Sequence, residues 1–238
     1  MALQNTGQHI LQQFDQDLES IRTNVMSMGG LVEKQVIDCV AALINCDSKL
    51  AEQVATSDYQ INSMQVSIDE ECNQIIALRQ PAASDLRLVM SIIKTTCDLE
   101  RVGDEAEKIG RYAVELATES RKHSYFDELR QMGDQVVEVL RNALDAFARM
   151  DVKSAYQTAA SDKIINREYD QITRNLIRTM TDDRSSIEHC LRVMWCARAL
   201  ERIGDHAKNI CEYVIFAVEG KDIRHTSFMQ GMEDFKNV

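Results

Sequence analysis

The ten residues ERVGDEAEKI at 100–109 return almost unchanged as ERIGDHAKNI at 201–210, and no other feature limits the possible folds so severely. Displaced by 101 positions, Leu99 falls on Leu200, Glu100 on Glu201, Arg101 on Arg202, Gly103 on Gly204, Asp104 on Asp205, Ala106 on Ala207, Ile109 on Ile210 and Tyr112 on Tyr213. A second correspondence, offset by 104, joins Asp47 to Asp151, Ala51 to Ala155, Asp58 to Asp162, Ile61 to Ile165 and Asn62 to Asn166. A unit has been duplicated, so the fold must hold two copies of it.

Periodicity identifies the unit as helical. Leu99, Val102, Ala106, Ile109, Ala113 and Leu116 recur at spacings of three and four, and Leu200, Ile203, Ala207, Ile210, Val214 and Val218 repeat the stripe; such a face must be buried. Little interrupts it: the 238 residues contain one proline, Pro81, and nine glycines, so the backbone ladder of a nearly all-helical protein is rarely broken. Each copy is predicted to contribute three helices. In the first copy these run to about Cys46, from a turn at Asp47 to about Leu78, and from about Ser84 after the break at Pro81. In the second copy they cover about 125–150, 152–180 and 186–218, with Ser185 and Glu188 at the spacing of a capping box. Two helices enclose such a stripe poorly and three enclose it well. The expected class is all-α, two tandem pseudo-symmetric three-helix bundles over 1–121 and 122–219, followed by a partly disordered tail at 220–238. Gly29 and Gly30 interrupt the first helix, either to kink it or to admit a close neighbour.

Charge and cysteine narrow the function. With 27 Lys and Arg against 38 Asp and Glu, the net charge of −11 repels a phosphate backbone, which disfavours nucleic acid as a partner. Seven scattered cysteines without a CxxC pair, and no charged-then-apolar leader, predict a soluble protein of the reducing cytoplasm. Cys39, Cys97 and Cys211 are expected to be small core residues. No apolar run approaches the roughly 20 residues of a membrane span.

Glu100 and Asp104 are four apart, as are Glu201 and Asp205, so each pair projects from one helix face. Like charges at that spacing cost a few tenths of a kcal/mol, about 0.2–0.5, when solvated, and something should offset the cost. A hard cation does so, and Asp58 with Asn62, or Asp162 with Asn166, supplies a second oxygen pair at the same spacing. The alternative is a wet surface on which Arg101, Arg202 or nearby lysines pair with the acids. Asp58 and Asp162 also have a purely local role open to them, early in the second helix of each copy. His206 follows Asp205 but corresponds to Glu105, and is expected to be exposed or local. His9, His123, His189 and His225 form no metal spacing, and no ExxH, GxxxxGK[ST], GxGxxG or GxSxG occurs. Trp195 is expected in the core or an interface.

The two copies of LER[VI]GDxA, the stretch RQPAASDLRLVM at 79–90 and the DxxIN element in both halves resemble the PhoU family over roughly residues 14–223. The resemblance implies two three-helix bundles, a cytoplasmic location, and self-association as a homodimer or higher oligomer. It implies acidic motifs that hold metal, here Glu100, Asp104, Glu201 and Asp205, with Mg, Mn, Fe or Zn as the ions and none singled out. The implied function is regulatory: restraining phosphate uptake and holding the phosphate-starvation response off, as an adaptor between the ATPase subunit of a phosphate transporter and the cytosolic domain of a sensor histidine kinase. The implied protein is not an enzyme; the rival is a metal-dependent enzyme built on the carboxylates, which lacks a spaced base or nucleophile.

Overall fold

Asp47 and Asp151 each stop one helix and start the next. The residue before each aspartate, Cys46 or Met150, turns into the left-handed region at φ 51° or 50°. The aspartate N–H then reaches back to the carbonyl of Ala42 or Ala146, at 3.0 and 2.9 Å, the closure of a helix end that more often carries glycine. The Asp47 carboxylate accepts from the N–H groups of Lys49 and Leu50, and the Asp151 carboxylate from that of Ser154, filling donors that a helix start leaves open.

The computed structural model describes residues 2–118 and 124–223, with side chains from residue 13 onward apart from those of Asp58, Ser124 and Tyr125. Among the described residues seven α-helices follow in order: α1 (Ala2–Asn45), α2 (Ser48–Val54), α3 (Asp58–Arg79), α4 (Ala83–Ala117), α5 (Ser124–Arg149), α6 (Val152–Asp182) and α7 (Ile187–Glu219). No strand occurs among the described residues. The tail beyond Ile223, the segment around Lys122, and His9, His123 and His225 lie outside those whose side chains are described.

Helices α1, α3 and α4, with α2 against α4, form one bundle, and α5, α6 and α7 form the other. The stripe from Leu99 to Leu116 is wholly buried, as is its repeat from Leu200 to Val214; each large side chain so enclosed contributes about 1.5–3 kcal/mol. Val218 departs from the prediction at 47% exposed, because in the last turn the inward position passes to Ala217. Cys39 and Cys211 are core residues as expected, whereas Cys97 is only half-buried.

Two local features differ from the sequence reading. The second helix of the first copy is broken into α2 and α3 where the second copy runs on as α6. Thr56 Oγ1 bonds back to the carbonyls of Glu52 and Gln53, and Ser57 Oγ to that of Val54, competing with the helical ladder; alanine, Ala160, corresponds to Thr56. No capping box forms at Ser185. Asp183 takes the Ser185 N–H and hydroxyl, a 3-10 turn covers Arg184–Ser186, and Glu188 is drawn to Arg192 at 2.7 Å.

Of the two roles open to Gly29, the structure takes the close approach. A Cβ there would lie 2.7 Å from Leu144 Cδ2, and one at Gly133 would lie 2.7 Å from Val40 Cγ1. These are equivalent contacts, since Gly29 corresponds to Gly133 and Val40 to Leu144 at the offset of 104. Gly29 thus admits a neighbouring helix, while a Cβ on Gly30 would meet open space.

The two bundles meet along α1 against α5 and, most extensively, along α4 against α7. The α4–α7 seam is antiparallel: Ser91 Oγ donates to the Tyr213 carbonyl, Asp98 faces His206, Arg202 bonds Glu105, and Tyr112 stacks on Trp195 at 5.1 Å. Both acidic turns therefore ride on the two helices that join the halves.

Candidate functional site

Gly204, between Glu201 and Asp205, explains why these acids acquire neighbours. A Cβ at this position would come within 2.9 Å of Ile165 Cδ1, so its absence lets α6 lie close against α7. Ile165 stands between Asp162 and Asn166, and the approach places that pair opposite the acidic turn.

The environment is dry for charged groups. Asp162 is 5% exposed and Glu201 9%, and desolvation is the main force that pushes both carboxyls above the ordinary carboxylate range. The charge of Asp205 pushes both further up, and that of Asp162 acts on Glu201 as well. Two basic side chains oppose this: Arg198 Nη1 donates to Glu201 Oε1 at 2.7 Å, and Lys208 Nζ lies 3.6 Å from Asp162 Oδ2. Asn166 Nδ2 also donates to Asp162 Oδ2, at 3.1 Å. After these contacts, Asp162 Oδ1, Asn166 Oδ1 and Glu201 Oε2 remain buried and accept no hydrogen bond. Unmet buried oxygens are costly, and several in one place ask for a cation.

The first copy is built differently. Glu100, Asp104 and Asn62 are half-buried, and the side chain of Asp58 lies outside those described. Cys97 occupies the position of Arg198, and Glu107 that of Lys208. Of the arginines named by the sequence, Arg101 feels the charge of Glu100, while Arg202 bonds an acid of the other copy. Arg202 crosses the seam to Glu105 Oε1 at 3.0 Å, and Arg101 is exposed beside Cys97.

Sequence reasoning missed the polar groups within the seam. His206 is not an exposed local residue: its side chain is largely buried, with Nδ1 2.6 Å from Asp98 Oδ1, which also accepts from Asn209 Nδ2 at 3.1 Å. Glu105, the counterpart of His206, is also buried and is held by Arg202 and Lys108. A signal was available in the change from Glu105 to His206 between two otherwise similar motifs, which marks a place where the halves face different neighbours. Trp195 sits at the interface as expected, though 46% exposed.

The donor set at the second copy is all oxygen, from Asp162, Asn166, Glu201 and Asp205, which suits hard ions such as Mg or Mn better than Zn. The buried, unbonded oxygens fit such a group. Among the described residues no three His, Cys, Asp or Glu side chains stand close enough to hold an ion as they are, so binding requires the carboxylates to converge.

Comparison with known proteins places this geometry. The PhoU domain matches twice, over residues 25–113 and 129–214. A phosphate-specific transport system accessory protein PhoU homolog from Pseudomonas putida is 54% identical over 217 residues, covering 91% of this chain and 85% of that protein. Phosphate-specific transport system accessory protein PhoU of Escherichia coli (strain K12) is 47% identical, with 93% and 91% covered. The crystal structure of PhoU from Pseudomonas aeruginosa superimposes with a TM-score of 0.85 at 50% identity, covering 87% of this chain and 100% of that one. The phosphate transport system regulatory protein PhoU from Streptococcus pneumoniae gives 0.81 at 30% identity, with 88% and 98% covered. The family is one of accessory and regulatory proteins, not of enzymes. Matched twice, over residues 25–113 and 129–214, the chain belongs to the PhoU family.

Proposed function

We propose that this protein restrains phosphate uptake and holds the phosphate-starvation response off, as a cytoplasmic adaptor between the ATPase subunit of a phosphate transporter and the cytosolic domain of its sensor histidine kinase. The observation that carries this reading is identity of about half to phosphate-transport accessory proteins over more than nine tenths of the chain. Two similar bundles on one body give two related surfaces for two partners. Among the described residues no helix is long and apolar enough to cross a membrane, so the reading has the protein meet the membrane complex by surface contact. Self-association as a dimer or higher oligomer belongs to the same reading.

The acidic turns take metal in this reading: Glu201 and Asp205 with Asp162 and Asn166 in the second copy, Glu100 and Asp104 with Asp58 and Asn62 in the first. A bound Mg, Mn, Fe or Zn ion supplies positive charge that neutralises the acids. The chain's own residues hold the carboxylates on one face of α4 or α7 and exclude water from Asp162 and Glu201, the burial that supports this assignment.

Deleting the gene and following a phosphate-starvation promoter in rich phosphate tests the regulatory role; derepression is expected, and unaltered repression rejects it. Affinity capture of the tagged protein in replete and starved cells should recover the transporter ATPase subunit and the kinase. Their absence under both conditions rejects the adaptor.

A further inference from the structure

Of the positions at which the two acidic turns differ in charge, one bears directly on Asp162. Three residues after Asp104 stands Glu107, whose carboxylate accepts from Arg111 at 2.7 Å. Three residues after Asp205 stands Lys208, on the same face of α7 as Glu201 and Asp205 by helical spacing. Its ammonium lies 3.6 Å from Asp162 Oδ2, longer than a good hydrogen bond and within the range of an ion pair. Asp162 is nearly sealed from water and its Oδ1 accepts nothing, whereas the Lys208 side chain is 30% exposed. The lysine can therefore withdraw towards solvent along its flexible stem while the carboxylate cannot follow it. Arg198, the other cation at this turn, is bonded to Glu201 and lies over the Tyr169 ring.

We infer that Lys208 is a built-in cation of the second acidic turn, and that a divalent metal ion enters there by displacing its ammonium from Asp162. The inference rests on the proposed metal binding and deepens it. It makes occupancy of the second copy an exchange of one cation for another, while the first copy, with glutamate at the matching place, takes metal without displacing an amine. The separation of the carboxylates as they stand follows: the ammonium serves Asp162, and its departure lets Asp162, Glu201 and Asp205 converge on an ion.

Calorimetric titration of the full chain with Mn(II) tests this, using wild type, Lys208→Gln, Lys208→Arg and the double variant Lys208→Gln/Asp162→Asn, with circular dichroism to verify folding. Lys208→Gln should tighten one class of sites by about tenfold or more, because the competing charge is gone. Lys208→Arg should keep the wild-type affinity, and the double variant should lose the gain. In parallel, acylation of Lys208 in the wild-type protein, read by mass spectrometry, should accelerate when Mn(II) is added. Equal affinity of wild type and Lys208→Gln, with labelling indifferent to metal, overturns the exchange and leaves the metal reading standing. Absence of Mn(II) binding by any variant overturns both.

Discussion

Asn24 donates from Nδ2 to both carboxylate oxygens of Glu71, at 3.0 and 3.1 Å, tying α1 to α3. At the offset of 104 the equivalent positions are Glu128 and Asn175, and there Asn175 donates to Glu128 at 2.7 Å. The same bond is kept in both bundles, with acid and amide exchanged between the helices. What the position requires is one donor and one acceptor, whichever helix supplies each.

Interchanging the first pair should therefore be tolerated where half the exchange is not. Asn24→Glu alone sets two carboxylates against each other and should cost about 1–3 kcal/mol, and Asn24→Glu/Glu71→Asn should recover most of it. Urea unfolding of the four members of this cycle measures the coupling; additive losses would mean the bond is incidental.

Glycine substitutions should separate by what lies opposite. Gly30→Ala meets open space and should stabilise by about 0.5–1 kcal/mol through helix propensity. Gly29→Ala should be close to neutral, since the obstructing atom is the end of Leu144, which can turn aside. Gly133→Ala meets both methyls of Val40, which is stiff about χ1, and should cost about 1–3 kcal/mol. Chemical denaturation that ranked the three otherwise would contradict the described crossing of α1 and α5.

The seam should be sensitive at His206. Replacing it by the residue of the other copy, His206→Glu, puts a second carboxylate beside buried Asp98 and should cost about 3–5 kcal/mol. Adding Asp98→Ala should restore much of the loss, because alanine is what the second copy carries at the matching position, Ala199. Melting temperatures of the two variants decide the point: a stable His206→Glu protein would show that the halves are not joined there.

Glu168 should give stability a pH dependence. Burial pushes its carboxyl above the ordinary range, against the opposing pull of hydrogen bonds from Gln131 and Gln135. A raised value means that the folded state holds the proton more tightly than the unfolded state. This contribution is therefore fully present below the unfolded value, about 4.3, and is lost as pH rises through the folded one. Glu168→Gln should remove this term, so its stability relative to wild type should increase from acid towards neutral pH. A difference between the two that stays flat across that interval would count against the shift.

The sequence disclosed most of the architecture, because a buried stripe repeated at three and four residues leaves few alternatives to helix. Leu99 to Leu116 and Leu200 to Val214 were legible for that reason. The split at Thr56 and Ser57 was not, since it turns on whether two hydroxyls bond to the preceding carbonyls or to solvent. At the candidate site, Glu201 and Asp205 could be named from spacing, and Asp162 from the repeat. Arg198 and Lys208 could not be assigned as their partners, because that depends on how α6 lies against α7. Nor could Asp98 be matched with His206: residues 108 apart in sequence meet only through the register of α4 on α7, which neither helix encodes alone.

The reciprocal crossing of α1 and α5, in which the small residue of each receives the branched residue of the other, has an evolutionary consequence. A surface on which one residue meets a second, while the second's counterpart meets the first's, is isologous, the self-complementary kind that closes a twofold dimer. A polypeptide half this long could have built the same junction from two identical subunits. Fusion would then have freed each half to diverge, as Glu107 and Lys208 have done.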